Sequence, residues 1–216
     1  MESTLIVPTI FALDKKQFES KLEKLSFARE LHIDFMDGNF TKHKSVSFEE
    51  IEDSLKSCSA LLGVHLMVFD PLRYLKKLQG MNMKKVFLHF SSYEQKGMLL
   101  FALEQFKSAG FEVYLVASPQ VSIEFLFPYL RQINGVMIMS VVPGAEGQTF
   151  LEETYSRIAK IRGQMLDCRI YVDGGISLAN ARKLIDSGAT GLCVGSYISS
   201  HENPEKRYKD LLHACM

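Results

Sequence analysis

The sequence predicts an α/β protein with the architecture of a (β/α)8 TIM barrel, formed by one domain over residues 1–216. Short apolar runs alternate eight times with segments of helical periodicity, at even spacing along the chain. No linker or low-complexity stretch divides the chain, and its length is ordinary for one domain. An open doubly wound sheet is the alternative, but no G-x-G-x-x-G follows the first predicted strand.

The eight strands are predicted from apolar, β-branched runs that fit buried parallel strands. They cover residues 4–10, 31–36, 61–67, 85–90, 112–117, 136–140, 169–173 and 191–194.

Several of the helices have recognisable starts and stops. Asp14 with Gln17, and Ser47 with Glu50, have the three-residue spacing of a capping box. Gly110 is placed to end the helix before the fifth strand. The helical segments are predicted over residues 14–29, 47–55, 70–79, 95–109, 122–131, 151–165 and 177–188, and from 203 onward.

Composition argues against nucleic-acid and membrane partners. Lys plus Arg and Asp plus Glu are both 25, so no overall field attracts a polyanion. The basic stretch Lys42-His43-Lys44 has no aromatic platform beside it, and we expect a solvated loop there. The alternative for this stretch is contact with a substrate phosphate.

The sequence predicts a cytoplasmic location. No window approaches the roughly 20 apolar residues of a membrane span, and the N-terminus lacks a basic leader region. The four cysteines form no C-x-x-C pair, which is typical of reduced thiols in the cytoplasm. The oligomeric state is left open, with a homo-oligomer among the alternatives.

Four polar residues at predicted strand ends have the chemistry of a metal site. Side chains alternate along a strand, so His32 and Asp34 share one face of the second strand. His65 on the third strand and Asp173 on the seventh complete the set, because strand ends of a barrel meet at one mouth. Two imidazoles and two carboxylates suit one Zn²⁺, Fe²⁺, Mn²⁺ or Co²⁺ ion better than Mg²⁺ or Ca²⁺. Taken singly, each residue is more typical of a hydrogen-bonded histidine or a turn-capping aspartate.

Three methionines, Met36, Met67 and Met139, also lie near strand ends. Core packing is the usual role of methionine. The alternative is an apolar floor around the metal.

Glycine-rich turns follow the last three strands and predict a phosphate site. Such loops present backbone N–H groups to an anion, although turns use glycine in any case. The residues are Gly144, Gly147, Gly174, Gly175, Gly195 and Ser196.

These motifs resemble the ribulose-phosphate 3-epimerase family, over nearly the whole chain. The matching segments are V-P-T-I at 7–10, H-I-D-F-M-D-G at 32–38, V-H-L-M-V at 64–68, M-S-V-V-P-G at 139–144, V-D-G-G-I at 172–176 and V-G-S at 194–196.

The resemblance implies a barrel of the ribulose-phosphate-binding type and assigns roles to the candidate residues. His32, Asp34, His65 and Asp173 would bind the metal, and Asp34 and Asp173 would also be the paired acid and base. The three methionines and Thr9, which stands where the family usually has serine, would contact the substrate. The late glycine loops would hold its phosphate.

The chain departs from the family pattern in the shell that faces the substrate. Residues 41–48 differ from the usual P-N-x-T-F-G-P continuation, and Glu146 replaces a glycine of the phosphate loop. Ser91 and Ser92 stand where an acidic residue is expected shortly after His89. These departures put the identity of the sugar in question more than the type of reaction.

The expected activity is metal-dependent 3-epimerisation of a ketose phosphate, most simply D-ribulose 5-phosphate to D-xylulose 5-phosphate. Two aspartates would move the proton through a metal-stabilised enediolate. The first alternative is a six-carbon substrate such as D-allulose 6-phosphate. The others are a non-catalytic sugar-phosphate sensor, and aldol or decarboxylation chemistry. The last needs a lysine at a strand end, whereas Lys84 and Lys85 lie at the start of the fourth strand.

Overall fold

Eight parallel strands close into a barrel, in which each strand pairs with the next in chain order and the eighth pairs with the first. The computed structural model describes residues 5–144 and 148–216. The predicted (β/α)8 barrel is confirmed. The strands are β1 Leu5–Ile10, β2 Glu30–Met36, β3 Leu61–Met67, β4 Met83–His89, β5 Glu112–Ala117, β6 Gly135–Met139, β7 Arg169–Asp173 and β8 Gly191–Val194.

Helices follow the strands and cover the outside of the barrel. They are α1 Lys15–Lys24, α2 Phe48–Ser57, α3 Leu75–Gln79, α4 Lys96–Ser108, α5 Glu153–Gln164, α6 Ala181–Asp186, α7 Ser196–Ser199 and α8 Pro204–Cys215. Shorter 3₁₀ segments cover Pro71–Tyr74, Phe90–Ser92 and Ile123–Gln132. The four-residue helix α7 was not predicted from the sequence.

The predicted capping box at Ser47 forms, whereas Asp14 caps its helix without the reciprocal bond, because Gln17 Oε1 accepts from the Leu13 N–H. The Asp14 carboxylate accepts a hydrogen bond from the Gln17 backbone N–H at 2.8 Å. The Glu50 carboxylate reaches back to the Ser47 backbone N–H at 3.1 Å. Helices α1 and α2 therefore begin where the sequence places them.

Two helices are shorter than predicted. Helix α1 ends at Lys24 and not near residue 29, because Leu25 is fully buried and the chain turns there towards β2. Helix α6 begins at Ala181 and not at Ser177. The Asn180 side chain accepts a hydrogen bond from the Ser177 N–H at 2.8 Å, which holds residues 177–180 in a turn.

The segment after β5 is a 3₁₀ helix and not the α-helix implied by a regular barrel repeat. Pro128 lies inside it. Proline has no N–H to donate and its ring clashes with the preceding turn of an α-helix, so the α form is disfavoured at this point.

Strand register brings the polar residues together at the carboxyl end of the barrel. Asp34 on β2 lies directly opposite His65 on β3. Met139 on β6 lies opposite Asp173 on β7, and Asp173 lies opposite Cys193 on β8. Residues that are far apart in the sequence therefore share one level of the barrel.

The opposite end of the barrel is closed by a buried ion pair under aromatic rings. The Lys85 ammonium on β4 lies 2.7 Å and 2.8 Å from the two carboxylate oxygens of Glu30 on β2, and 2.8 Å from the Tyr171 hydroxyl. The rings of Phe87, Tyr114 and Tyr171 pack together beside it. Lys85 is thus at the end of β4 away from the mouth, as the sequence predicts.

Candidate active site

Four side chains meet at the mouth of the barrel. One donor atom from each of His32, Asp34, His65 and Asp173 lies within 4.8 Å of all the others. His65 Nδ1 is 3.2 Å from Asp34 Oδ1 and 3.6 Å from Asp173 Oδ2, and His32 Nε2 is 3.4 Å from Asp34 Oδ1. The structure therefore brings together the four residues that the sequence groups.

The chemistry of this cluster fits one divalent cation. His32 Nε2 is buried and has no hydrogen-bond partner among the described residues. A buried polar atom without a partner is unfavourable, and a metal ion bound to its lone pair would remove the penalty. Two imidazoles and two carboxylates suit a borderline transition-metal ion such as Zn²⁺, Fe²⁺, Mn²⁺ or Co²⁺. The four residues can hold such an ion.

The two carboxylates have opposite electrostatic environments. Burial would raise the pKa of Asp34, but the neighbouring imidazoles of His32 and His65 outweigh it and hold that pKa below its usual value. Burial raises the pKa of Asp173 to about 7, and the negative charge of Asp34 adds to the effect. Without a cation, the pair therefore favours an ionised Asp34 beside a protonated Asp173 below about pH 7.

A cavity of ≈ 100 Å³ opens beside the cluster, between the ends of β1 to β3 and β6 to β8. Asp34 and Asp173 form part of its wall. Nearly all the other predicted site residues line it as well: Thr9, Met36, Met67, Met139, Gly144, Gly174, Gly175, Gly195 and Ser196.

One predicted residue, Gly147, lies outside the described residues, as does Glu146. The cavity also includes residues that sequence analysis missed, among them Gln148, Cys193 and Tyr197. Cys193 could have been found from its strand, because it is the residue paired with Asp173.

The turn after β7 needs glycine for steric reasons. Gly174 has φ +108°, and a Cβ there would lie 2.4 Å from Val141 Cγ2. Gly175 has φ +60°, and its Cβ would meet the Gln148 carbonyl at 3.2 Å. The backbone can therefore approach the cavity closely only without side chains at these two positions.

The loop between β2 and α2 reaches over part of the mouth. Thr41 approaches Gly144 so closely that a Cβ on the glycine would lie 3.0 Å from Thr41 Cβ. Lys42, His43 and Lys44 are exposed and do not line the cavity. The basic stretch is thus directed to solvent.

A second layer of polar residues lies behind His65. Its Nε2 is 2.8 Å from His89 Nε2, and His89 Nδ1 is 3.1 Å from Ser118 Oγ. His89 is fully buried, and burial holds its pKa well below the usual value, so the ring is neutral. The sequence pattern assigns no role to His89, although its position at the end of β4 is a signal.

The described part of the chain contains no helix of the length and apolarity that crossing a bilayer requires.

The family model and the similar sequences indicate the same family. The model of the family described as "Ribulose-phosphate 3 epimerase family" matches residues 5–199. A ribulose-phosphate 3-epimerase of Chlamydia pneumoniae is 32% identical and aligns over 98% of this chain and 94% of its own. The ribulose-phosphate 3-epimerase of Schizosaccharomyces pombe is 24% identical and aligns over 100% of this chain and 96% of its own.

Solved structures support the fold alone. A 3-hexulose-6-phosphate synthase from Salmonella typhimurium superposes with a TM-score of 0.74 at 12% identity, covering 98% of each chain. An orotidine 5'-monophosphate decarboxylase from Sulfolobus solfataricus gives a TM-score of 0.71 at 12% identity, covering 99% of this chain and 98% of its own. The sequence match is what identifies the family: the chain belongs to the ribulose-phosphate 3-epimerase family, whose members are isomerases acting on carbohydrates.

Proposed function

We propose that the protein epimerises a ketose phosphate at C3, most simply D-ribulose 5-phosphate to D-xylulose 5-phosphate. The observation that carries the proposal is the meeting of Asp34 and Asp173 with His32 and His65 within 4.8 Å, where the two aspartates form part of a cavity wall. The family and the names of its curated relatives support the same reaction.

The two aspartates are proposed as the groups that move the proton. β2 and β7 are separated by β1 and β8 in the barrel, so the two carboxylates enter the cavity from different strands. One carboxylate accepts the C3 proton as the C–H bond breaks, and the other carboxyl group donates a proton to the opposite face of C3. Two separate groups are needed because inversion requires removal and return on opposite faces.

His32, Asp34, His65 and Asp173 would hold the divalent cation. A cation bound there would stabilise the negative charge that develops on the substrate oxygens when the C3 proton leaves. The histidines are buried, with 1% and 0% of their surface exposed, so few water molecules compete for this position.

The remaining cavity residues are proposed to position the sugar phosphate. Backbone N–H groups of the late loops would bind the phosphate, and the proposed residues are Gly144, Gly147, Gly174, Gly175, Gly195 and Ser196. Thr9 Oγ1 is buried without a partner among the described residues, which leaves its hydroxyl for a substrate oxygen. Met36, Met67 and Met139 would form the apolar floor.

Asp34→Asn and Asp173→Asn test the proton-transfer scheme. We expect each variant to lose conversion of D-ribulose 5-phosphate while retaining its fold. In deuterated water, the variant that keeps the base for this substrate should still exchange the C3 hydrogen without forming the epimer, as followed by NMR. The other variant should show no exchange, which would assign each aspartate to one face.

Asp186→Asn is the matched control, because Asp186 is exposed and ion-paired with Arg182 on the outer helix α6. It should react at the parent rate. Near-parent epimerisation by either active-site variant would contradict the two-aspartate scheme.

Rates on five-carbon and six-carbon ketose phosphates distinguish the remaining alternatives. The chain differs from the family pattern at residues 41–48 and at Thr9, so a six-carbon ketose phosphate such as D-allulose 6-phosphate is the second candidate. A higher kcat/KM for the six-carbon substrate would select it. A non-catalytic sensor would bind a ketose phosphate but show no C3 hydrogen exchange.

We propose the cytoplasm as the location of this reaction. Cys58, Cys168, Cys193 and Cys215 are all free thiols, as expected in a reducing compartment. Fractionation of cells with an antibody to the protein would test the location.

A further inference from the structure

His89 is a buried histidine that touches a candidate metal ligand but is not itself part of the four-residue cluster. It lies at the end of β4, beside β3, and none of its surface is exposed. Its Nε2 faces His65 Nε2 at 2.8 Å, on the side of the His65 ring away from Asp34 and Asp173. The Phe40 ring covers it, with ring centres 4.7 Å apart.

The geometry of this contact is that of a hydrogen bond between two imidazoles. The two rings are within 16° of parallel and their centres are 4.9 Å apart, as expected when the rings meet edge to edge through their nitrogens. Turning the His89 ring by 180° would place carbon atoms at both His65 and Ser118. The partners on each side therefore fix its orientation.

Such a bond has two possible proton arrangements, and only one leaves His65 able to bind a cation. If His65 carries its proton on Nε2, it donates to His89, and the Nδ1 lone pair faces the two carboxylates. If His89 donates instead, His65 carries its proton on Nδ1 and donates it to Asp34, 3.2 Å away. In that state Nδ1 has no lone pair for a metal.

Ser118 allows the chain of hydrogen bonds to adopt either arrangement. Its hydroxyl, 3.1 Å from His89 Nδ1, can accept when that nitrogen is protonated or donate when it is not. Its backbone is fixed, because the buried Arg157 side chain donates to the Ser118 carbonyl at 2.8 Å. No member of the chain loses its partner when the protons shift.

We propose that His89 is a positioning residue that accepts a hydrogen bond from the His65 Nε2–H and so directs the His65 Nδ1 lone pair to the cation. The inference rests on the proposed function in one respect, that the four-residue cluster binds a divalent ion. Ser118 completes the arrangement by accepting from His89 Nδ1. Partners of this kind fix the tautomer and orientation of a metal-binding histidine.

The test compares metal affinity in His89→Leu and His89→Gln. Leucine removes the acceptor, whereas the Gln side-chain oxygen can take the place of His89 Nε2. Co²⁺ is titrated into metal-free protein in competition with a chelator and followed by its absorption spectrum. We expect His89→Leu to bind Co²⁺ about 10- to 100-fold more weakly than the parent, and His89→Gln to recover most of the loss.

Urea unfolding of each metal-free variant shows whether the fold is retained. A second test uses the unaltered protein, so its result does not depend on whether the variants fold. With ¹⁵N-labelled histidine and bound Zn²⁺, NMR should find the His65 proton on Nε2.

The outcomes separate this inference from the proposed function. If the parent binds Co²⁺ and His89→Leu binds it equally well, or if His65 carries its proton on Nδ1 with Zn²⁺ bound, the role of His89 is wrong while the metal site stands. If the parent binds no Co²⁺, both are overturned.

Discussion

Asp173 is an acidic residue in a place that disfavours its charge. Burial and the neighbouring Asp34 raise its pKa to about 7. An ionised Asp173 in the metal-free protein therefore lowers the stability of the fold, and a bound cation would reverse that effect. A carboxylate held at this disadvantage is typical of functional sites.

Asp173→Asn should make the metal-free protein more stable at pH 8. The pKa of Asp173 is raised on folding from its ordinary value of 3.8 to about 7, so the folded state binds the extra proton between these values. Its contribution to stability is present below pH 3.8 and is lost as the pH rises through 7. We expect a gain of about 2 to 4 kcal/mol in urea unfolding at pH 8 with a chelator present.

The effect of Asp173→Asn on the free energy of unfolding should have the opposite sign when metal is bound. At saturating Zn²⁺ the parent should be the more stable protein, because Asn is the poorer ligand. An Asp173→Asn variant that is less stable than the parent under both conditions would show that the Asp173 carboxylate does not destabilise the metal-free protein.

Gly174→Ala should destabilise the protein and distort the cavity wall. Alanine at φ +108° is strained, and its Cβ would lie 2.4 Å from Val141. We expect a loss of roughly 1 to 3 kcal/mol from the backbone, and more from the contact.

Gly97→Ala is the control, because Gly97 lies in α4 with nothing within 4 Å of a new Cβ. That change should stabilise the helix by about 0.5 to 1 kcal/mol. Equal effects of the two substitutions in urea unfolding would contradict the steric argument.

The four cluster residues could be predicted because each lies near a strand end, and strand ends converge in a barrel. The contact between His65 and His89 could not. It depends on the rotamers of two buried rings and on Ser118 from a third strand, which no local pattern encodes.

At the scale of single elements, the loop between β2 and α2 has a structural contact and an exposed basic stretch. Thr41 packs on Gly144 while Lys42 and Lys44 point to solvent. The loop therefore makes a packing contact at Thr41 that its charge does not indicate.

Lys42→Ala with Lys44→Ala should leave both kcat and KM for D-ribulose 5-phosphate unchanged. Neither lysine lines the cavity, and screening by salt weakens the field of exposed charges at a distance. Steady-state kinetics at two salt concentrations would check this. A rise in KM alone would place one of these lysines on the substrate phosphate.

Capping signals predicted the starts of α1 and α2 but not the start of α6, for which Ser177 is the expected cap. Asp14 and Ser47 start their helices as expected. The 177–180 turn and the 3₁₀ segment around Pro128 were taken for α-helix, because helical periodicity cannot distinguish a tight turn or a 3₁₀ helix over a few residues.

At the scale of the whole molecule, the end of the barrel opposite the mouth is held by charge as well as by packing. Lys85 and Glu30 have only 6% and 10% of their side chains exposed. Their bond and the contact with Tyr171 join β4, β2 and β7 across the interior. The alternation of strands and helices predicted this barrel, but the partner of Lys85 lies 55 positions away and had no signal in the sequence.

Lys85→Met should destabilise the protein by about 3 to 5 kcal/mol, because Glu30 is left as an unpaired buried charge. Adding Glu30→Gln should recover much of that loss. Urea unfolding of the single and double variants measures the coupling, and kcat should change little because the pair is at the far end from the cavity. A Lys85→Met variant as stable as the parent would show that water reaches the Glu30 carboxylate.

The closure of β1 against β8 has a consequence for how the protein is made. Leu5–Pro8 find their partners only when Gly191–Val194 have left the ribosome, so the growing sheet carries an open edge during most of its translation. Asp173 also emerges late, long after His32 and His65. If the four residues hold an ion as proposed, the complete site exists only on a nearly finished polypeptide, and the supply of the ion would then govern maturation of the protein and not its synthesis.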